Sequence, residues 1–148
     1  MILKVVMAII GTSAFAYIFN APKKAIIPIG LIGGVGWAIF LIGSTWLGMF
    51  TQSANFFASL TVSFIGMLIA KSRDELSNIY IIPSLLPLVP GFGVYNGMNQ
   101  IVNNEYNLGM STIAKAGTDA VAIALGLLLV TSIFKVVARI KKNNELKN

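Results

Sequence analysis

Residues 82–99 carry most of the chemistry this chain can offer: Ile-Pro-Ser-Leu-Leu-Pro-Leu-Val-Pro-Gly-Phe-Gly-Val-Tyr-Asn-Gly-Met-Asn. Pro83, Pro87 and Pro90 recur at i, i+4 and i+7, which places them on one face of a helix. Each lacks the N–H that would bond the carbonyl four residues back, so the carbonyls of Ile79, Pro83 and Leu86 are expected to lose their partners. Pro90-Gly91 is a natural break, because proline restricts Val89 before it and Gly91 tolerates almost any backbone angle. Freed carbonyls accept from an ammonium or a hydroxyl. A second half-helix starting near Phe92 offers N–H groups and a positive dipole end to a carboxylate. Pro83, Pro87, Pro90, Gly91, Gly93, Asn96 and Asn99 are therefore the candidate substrate-binding or pathway residues. The plain alternative is a passive, kinked helix. Three prolines, three glycines and two asparagines in one stretch favour the functional break.

Two further side chains are candidates for coupling. Asp119 is the one carboxylate expected inside an apolar run, and Lys115 precedes it by four residues, so the two share a helix face. An ionisable residue within a span is a functional hypothesis by default. Its rival here is a simple interfacial ion pair, with Lys115 reaching outward to water.

The absences are as informative. There is no histidine and no cysteine, and five carboxylates serve the whole chain. That removes thiol and Ser–His nucleophiles, disulfides and the usual zinc and haem ligands. No enzyme activity, metal or cofactor is expected, and with no phosphate-cradling glycine loop a gradient would have to drive any transport.

These residues must be positioned by membrane helices. Of 148 residues 56% are hydrophobic and 11% charged, and mean hydropathy is +0.81. A soluble domain typically carries about 25% charged residues. An all-α integral membrane protein is expected, a single transmembrane domain over 1–148. Its five spans fall at about 2–20, 25–49, 52–70, 79–102 and 109–137, each near the roughly 20 residues a bilayer requires. Ala14-Phe15-Ala16 resembles a leader cleavage site. Lys23 and Lys24, however, put more positive charge after the first run than before it, which favours a permanent helix. With the N-terminus outside and the C-terminus cytoplasmic, nine of the eleven basic residues face the cytoplasm, all but Lys4 and Lys115. The net charge of +6 thus reads as a set of topology signals, and no nucleic-acid partner is expected.

Small and polar residues form two further patterns. Gly30 and Gly34 make a small-xxx-small pair suited to close helix approach. Gln52, Asn55, Ser59, Ser63, Gly66 and Ala70 form one helical stripe, read as a packing seam because hydroxyls can bond their own backbone carbonyls. Trp37, Trp46, Tyr17 and Tyr80 are expected interface anchors.

The run Pro87-Leu88-Val89-Pro90-Gly91, preceded by Ile82-Pro83 and followed by Tyr95-Asn96-Gly97, resembles the signature of the threonine/serine exporter family. The likeness extends to Gly-Gly-Val-Gly-Trp at 33–37 and covers nearly the whole chain. It is closest to the small five-helix component of two-component members. The resemblance implies export of small amino acids such as threonine and serine, or of dicarboxylates such as succinate, across the plasma (inner) membrane. It also implies a larger membrane subunit of the same family as partner, with a homo-oligomer as the other way to enclose a path. Where many relatives have a glycine-aspartate pair in the loop before the last span, this chain has Asn103-Asn104-Glu105. The competing class is a non-transporting assembly or scaffold subunit, whose kinks only shape a packing surface.

Overall fold

A computed structural model describes residues 1–145 and is helical throughout, with no strand among the described residues. The elements are α1 (Ile2–Ile18), α2 (Lys23–Leu41) running into a π-turn (Ile42–Trp46), α3 (Thr51–Arg73), α4 (Ser77–Leu85) with a 3-10 turn (Leu86–Leu88), α5 (Gly91–Val102) and α6 (Tyr106–Glu145). Lys147, the last residue of the basic tail, lies outside the described residues. Among the described residues three helices are long and apolar enough to cross a membrane: Lys23–Trp46, Thr51–Arg73 and Tyr106–Ile140. The pair Ser77–Leu88 and Gly91–Val102, bent by 45° at the break, makes a fourth if it is one span. With 17 residues α1 is the shortest of the apolar candidates, about 25 Å long at 1.5 Å per residue. The chain is a multi-pass membrane protein, and its outside shows it: Ile2, Trp46, Phe50, Phe92 and Val102 are all more than three-quarters exposed.

Sequence chemistry ends the helices. Asn20, Asp74 and Asn104 all have positive φ, at 55°, 55° and 66°. Each lets the following N–H reach back to a final-turn carbonyl: Ala21 to Ala16 at 3.0 Å, Glu75 to Ala70 at 3.0 Å and Glu105 to Gln100 at 2.9 Å. Asn and Asp tolerate this left-handed cap better than other non-glycine residues do. The second span ends at Trp46, short of the expected 49. A π-turn bonds the Leu47 N–H to Ile42 O at 3.1 Å, and Gly48 then turns the chain at φ 62°. The last helix, Tyr106–Glu145, overruns its expected bounds of 109–137 at both ends.

In the bundle α1 lies on α2; α2 and α3 pack on each other and on α4; α6 closes against α3; and α5 packs chiefly on α6. Glycines set these distances. A Cβ at Gly30 or Gly34 would strike Ser13 or Ile9 of α1, and one at Gly66 would sit 2.8 Å from Ile81 Cγ1 of α4. Ser59 and Ser63 are buried in the same α3 face, and the Ser59 hydroxyl donates to its own Phe56 carbonyl at 2.9 Å.

Pro28, within α2, deprives the Lys24 carbonyl of its helical donor. The Arg73 guanidinium supplies one instead, with Nη1 3.1 Å from Lys24 O. The Lys23/Lys24 and Lys71/Arg73 turns therefore share one end of the bundle. Nearby, the Tyr80 hydroxyl donates to Glu75. Tyr80 is fully buried and Trp37 half-buried against Phe40, so neither is the membrane-surface anchor expected. Each ring finds packing partners inside the bundle. Trp46 and Tyr17 are 78% and 70% exposed, as anchors must be.

Buried Ser84 donates to Ile29 O at 3.0 Å, tying α4 to α2. Ser84→Ala removes one hydrogen bond and strands no donor. It is expected to cost about 1 kcal/mol, read by thermal unfolding in detergent, without loss of expression.

Candidate functional site

The break between α4 and α5 is real, but its carbonyls are not all free. The chain tightens into a 3-10 turn, so that Leu86 N–H bonds Pro83 O and Val89 N–H bonds Leu86 O at 3.2 Å. Two of the three carbonyls expected to be stranded are thus resatisfied locally. The unsatisfied groups lie on the other side of the break. Gly91 N–H bonds Val89 O at 2.8 Å and Val94 N–H bonds Pro90 O at 3.2 Å. The Phe92 and Gly93 N–H groups between them have no backbone acceptor, and no side chain caps the helix.

Those two N–H groups belong to residues lining a cavity of about 420 Å³. The break forms one wall, with Pro87 to Pro90, Phe92 and Gly93. Thr51 and Asn55 of α3, Thr112, Lys115, Ala116 and Asp119 of α6, and the Trp37 and Phe40 rings of α2 form the rest. The volume falls in the range of small-molecule sites. Its only charged walls are Lys115 and Asp119, of opposite sign.

Asp119 is 7% exposed, and its Oδ1 is buried with no hydrogen-bond partner. Asn55 and Lys115 are the polar and charged side chains near enough to act on it. Oδ1 makes no hydrogen bond to the Lys115 ammonium, and Lys115 is exposed. A buried carboxylate without a full set of partners is expensive in an apolar environment, so this arrangement is more than packing requires.

The expected site residues separate into three groups. Pro87, Pro90 and Gly93 line this cavity together with Lys115 and Asp119. Gly91 lies instead on a second cavity of about 430 Å³ against α1, which Pro87 borders too; it is apolar except for Thr12, whose buried Oγ1 is likewise unpartnered. Pro87 and Val89 wall both spaces, so the broken segment is a thin partition between them. Pro83 faces the turn at Asn20–Pro22 instead. Asn96 and Asn99 lie further along α5, half-buried and exposed, and line neither cavity. The 45° bend explains this, since it carries α5 away from α4 and onto α6. There Gly97 and Gly109 face each other so closely that a Cβ on Gly97 would lie 3.0 Å from Gly109 O.

Sequence reading passed over Thr112, which lines the cavity and donates to Gln100 Oε1 at 2.8 Å. The signal was present: Thr112, Lys115 and Asp119 are spaced three and four apart, one polar face of α6. Asn55, expected in the packing seam, also opens onto the cavity. Among the described residues no three His, Cys, Asp or Glu side chains gather at one place.

Residues 4–133 match the profile of a protein family described as Threonine/Serine exporter, ThrE. A curated relative, the threonine/serine exporter of Corynebacterium glutamicum, is 29% identical over 120 residues, a stretch covering 81% of this chain and 24% of that protein. The chain thus spans about a quarter of the length of the curated relative it matches. No solved structure matches.

Proposed function

Because the chain belongs to the threonine/serine exporter family, we propose that it is the membrane subunit of a secondary transporter exporting small amino acids or small carboxylates across the plasma membrane. The observation that carries this reading is the cavity at the helix break, where an uncapped helix start, Lys115 and the buried Asp119, whose Oδ1 has no hydrogen-bond partner, converge. Discontinuous helices lining a polar space at mid-membrane are a common way to build a transport site. In this reading five crossings, with α1 one of them and α4–α5 counted as a single bent span, put the termini on opposite sides, and the basic turns favour an outside N-terminus and a cytoplasmic C-terminus. The Arg73–Lys24 contact supports that orientation by gathering two basic turns at one end.

Five helices enclose little volume. A larger membrane subunit of the same family, or further copies of this chain, completes the path. Metabolite profiling of the medium with and without the gene, repeated with its neighbour deleted, tests both statements. Export that needs the gene and its neighbour is expected. Robust export by this chain alone, with no related partner encoded, counts against obligate pairing.

Pro90→Ala restores an N–H at the break and lets α4 and α5 tend toward one straight helix. Gene-dependent export is expected to fall by about tenfold while the protein still inserts and assembles, since the corresponding barrier change is only about 1.4 kcal/mol. Intact export combined with failed assembly in the Pro90→Ala and Asn96→Ala variants would favour the scaffold reading instead.

A further inference from the structure

The start of α4 borders a space that the transport site does not use. A groove of about 450 Å³ lies between the turn joining α1 to α2 and the first two turns of α4, and Pro83 faces it. Its size falls in the range of small-molecule sites. The Asn20 and Asn78 side chains belong to its lining, one in the turn and one in the first turn of α4. Along α4 the lining then becomes apolar: Ile79, Ile82 and Pro83, with Ile82 about 6 Å further into the span than Asn78. Phe19 lines it from the end of α1. Phe19 and Ile82 are both more than half exposed, so the groove is open to the hydrocarbon around the bundle.

The charge at this end is positive. Lys23 and Lys24 follow directly on the turn that lines the groove, and both are exposed. Arg73 is held at the same turn by its bond to Lys24 O at 3.1 Å. With Lys71, four cations stand against the two carboxylates Asp74 and Glu75, and Glu75 already accepts from the Tyr80 hydroxyl. Both α2 and α4 begin here without a side-chain cap, and the positive ends of their dipoles add to the same potential. An apolar groove open to acyl chains, next to a cationic rim with two amides, has the polarity of a phospholipid and the charge complementary to an anionic one.

We infer that this groove binds one anionic glycerophospholipid, its phosphate at Lys23, Lys24 and Arg73 and one acyl chain along Phe19, Ile79 and Ile82. A zwitterionic lipid fits the groove equally well but carries its own cation to a cationic rim. A soluble phosphate ester meets the charges and leaves the groove empty. The bound lipid ties the α1–α2 turn to α4 and so steadies the first half of the broken span. This requires only that the basic end of the bundle lies at a membrane surface, and it does not depend on the transport reading.

The test is native mass spectrometry of the purified full-length chain in detergent, titrated with dioleoyl phosphatidylglycerol or dioleoyl phosphatidylcholine. Phosphatidylglycerol is expected to bind about tenfold more tightly, since each basic residue near a headgroup contributes roughly fivefold. Lys23→Gln/Lys24→Gln is expected to reduce that preference to about twofold or less, with phosphatidylcholine unchanged. Ile82→Trp keeps every charge and fills the groove, so it should weaken phosphatidylglycerol by about fivefold or more. Lys135→Gln/Arg139→Gln removes as much charge from exposed positions on α6 and should leave the preference intact. Melting curves without lipid identify a variant that fails to fold; if the lysine pair fails, Ile82→Trp at its exposed position decides.

Equal affinity for the two lipids overturns the inference. So does a preference lost as fully in the α6 pair, because the attraction is then diffuse and has no site. Displacement of bound phosphatidylglycerol by an equal concentration of glycerol 3-phosphate overturns it as well, since the groove then contributes nothing. Export enters none of these readouts, and the transport reading stands or falls separately.

Discussion

Asp119→Asn is expected to reduce export by about 10- to 100-fold while leaving the helix bundle as stable as the wild type, or more so. The two halves of this expectation have one cause. Asp119 is 7% exposed, and its Oδ1 has no hydrogen-bond partner in the protein. Removing the charge relieves the cost of holding a carboxylate out of water. Asparagine keeps the shape, so the neighbouring Asn55 and Ala116 need not move. What is lost is the contact that a solute or proton would make with a negative charge, a charge-assisted interaction worth about 1.5–3 kcal/mol. Export flux from complemented deletion cells and thermal unfolding in detergent measure the two halves separately. A variant that loses both export and stability would mean that Asp119 holds the bundle together. A variant whose export matches the wild type across a range of pH would remove this carboxylate from any coupling to protons.

Gly126→Val should produce the opposite signature, loss of stability first. Gly126 lies where α6 meets α3, and a Cβ there would sit 2.7 Å from the Phe56 carbonyl oxygen and 3.0 Å from the Leu60 nitrogen, besides striking the Ser59 hydroxyl. Two of these three obstacles are backbone. A rotamer change cannot clear them, so α6 must move off α3. Overpacking of this kind typically costs about 1–3 kcal/mol. That corresponds to a fall of several degrees in melting temperature for a chain of this size. Ser59→Gly removes only the hydroxyl contact and should not rescue the variant. Gly117→Val is the matched control: nothing lies within 4 Å of a Cβ at that position, so its stability should stay near wild type. Export is expected to fail in Gly126→Val as well, because Asn55 and Asp119 reach the cavity from the same two helices.

The contrast between these variants follows from what a single sequence can carry. Asp119 was recognisable because a carboxylate inside a long apolar run is anomalous wherever the run folds. Gly126 was not, because a glycine's importance depends on the atoms opposite it, and Ser59 stands far away in the chain. Likewise the Thr112–Gln100 contact and the Gly97–Gly109 approach require two helices to be placed before either residue has meaning.

The sequence by itself determined the apolar helices, the polarity of their basic turns, the break at Pro90-Gly91 and the poverty of reactive side chains. These are local properties, set by hydropathy, by the missing proline N–H and by which residue types are present at all. Only the tertiary structure decided which helix faces meet. It turned Asn96 and Asn99 away from the break, resatisfied two carbonyls through a 3-10 turn and brought Asp119 of α6 to the start of α5. Helical periodicity reports the faces of one helix, whereas a binding site is made where faces of different helices converge. That convergence is fixed by which atoms stand opposite each glycine and by the direction of a 45° bend, and no single segment carries either.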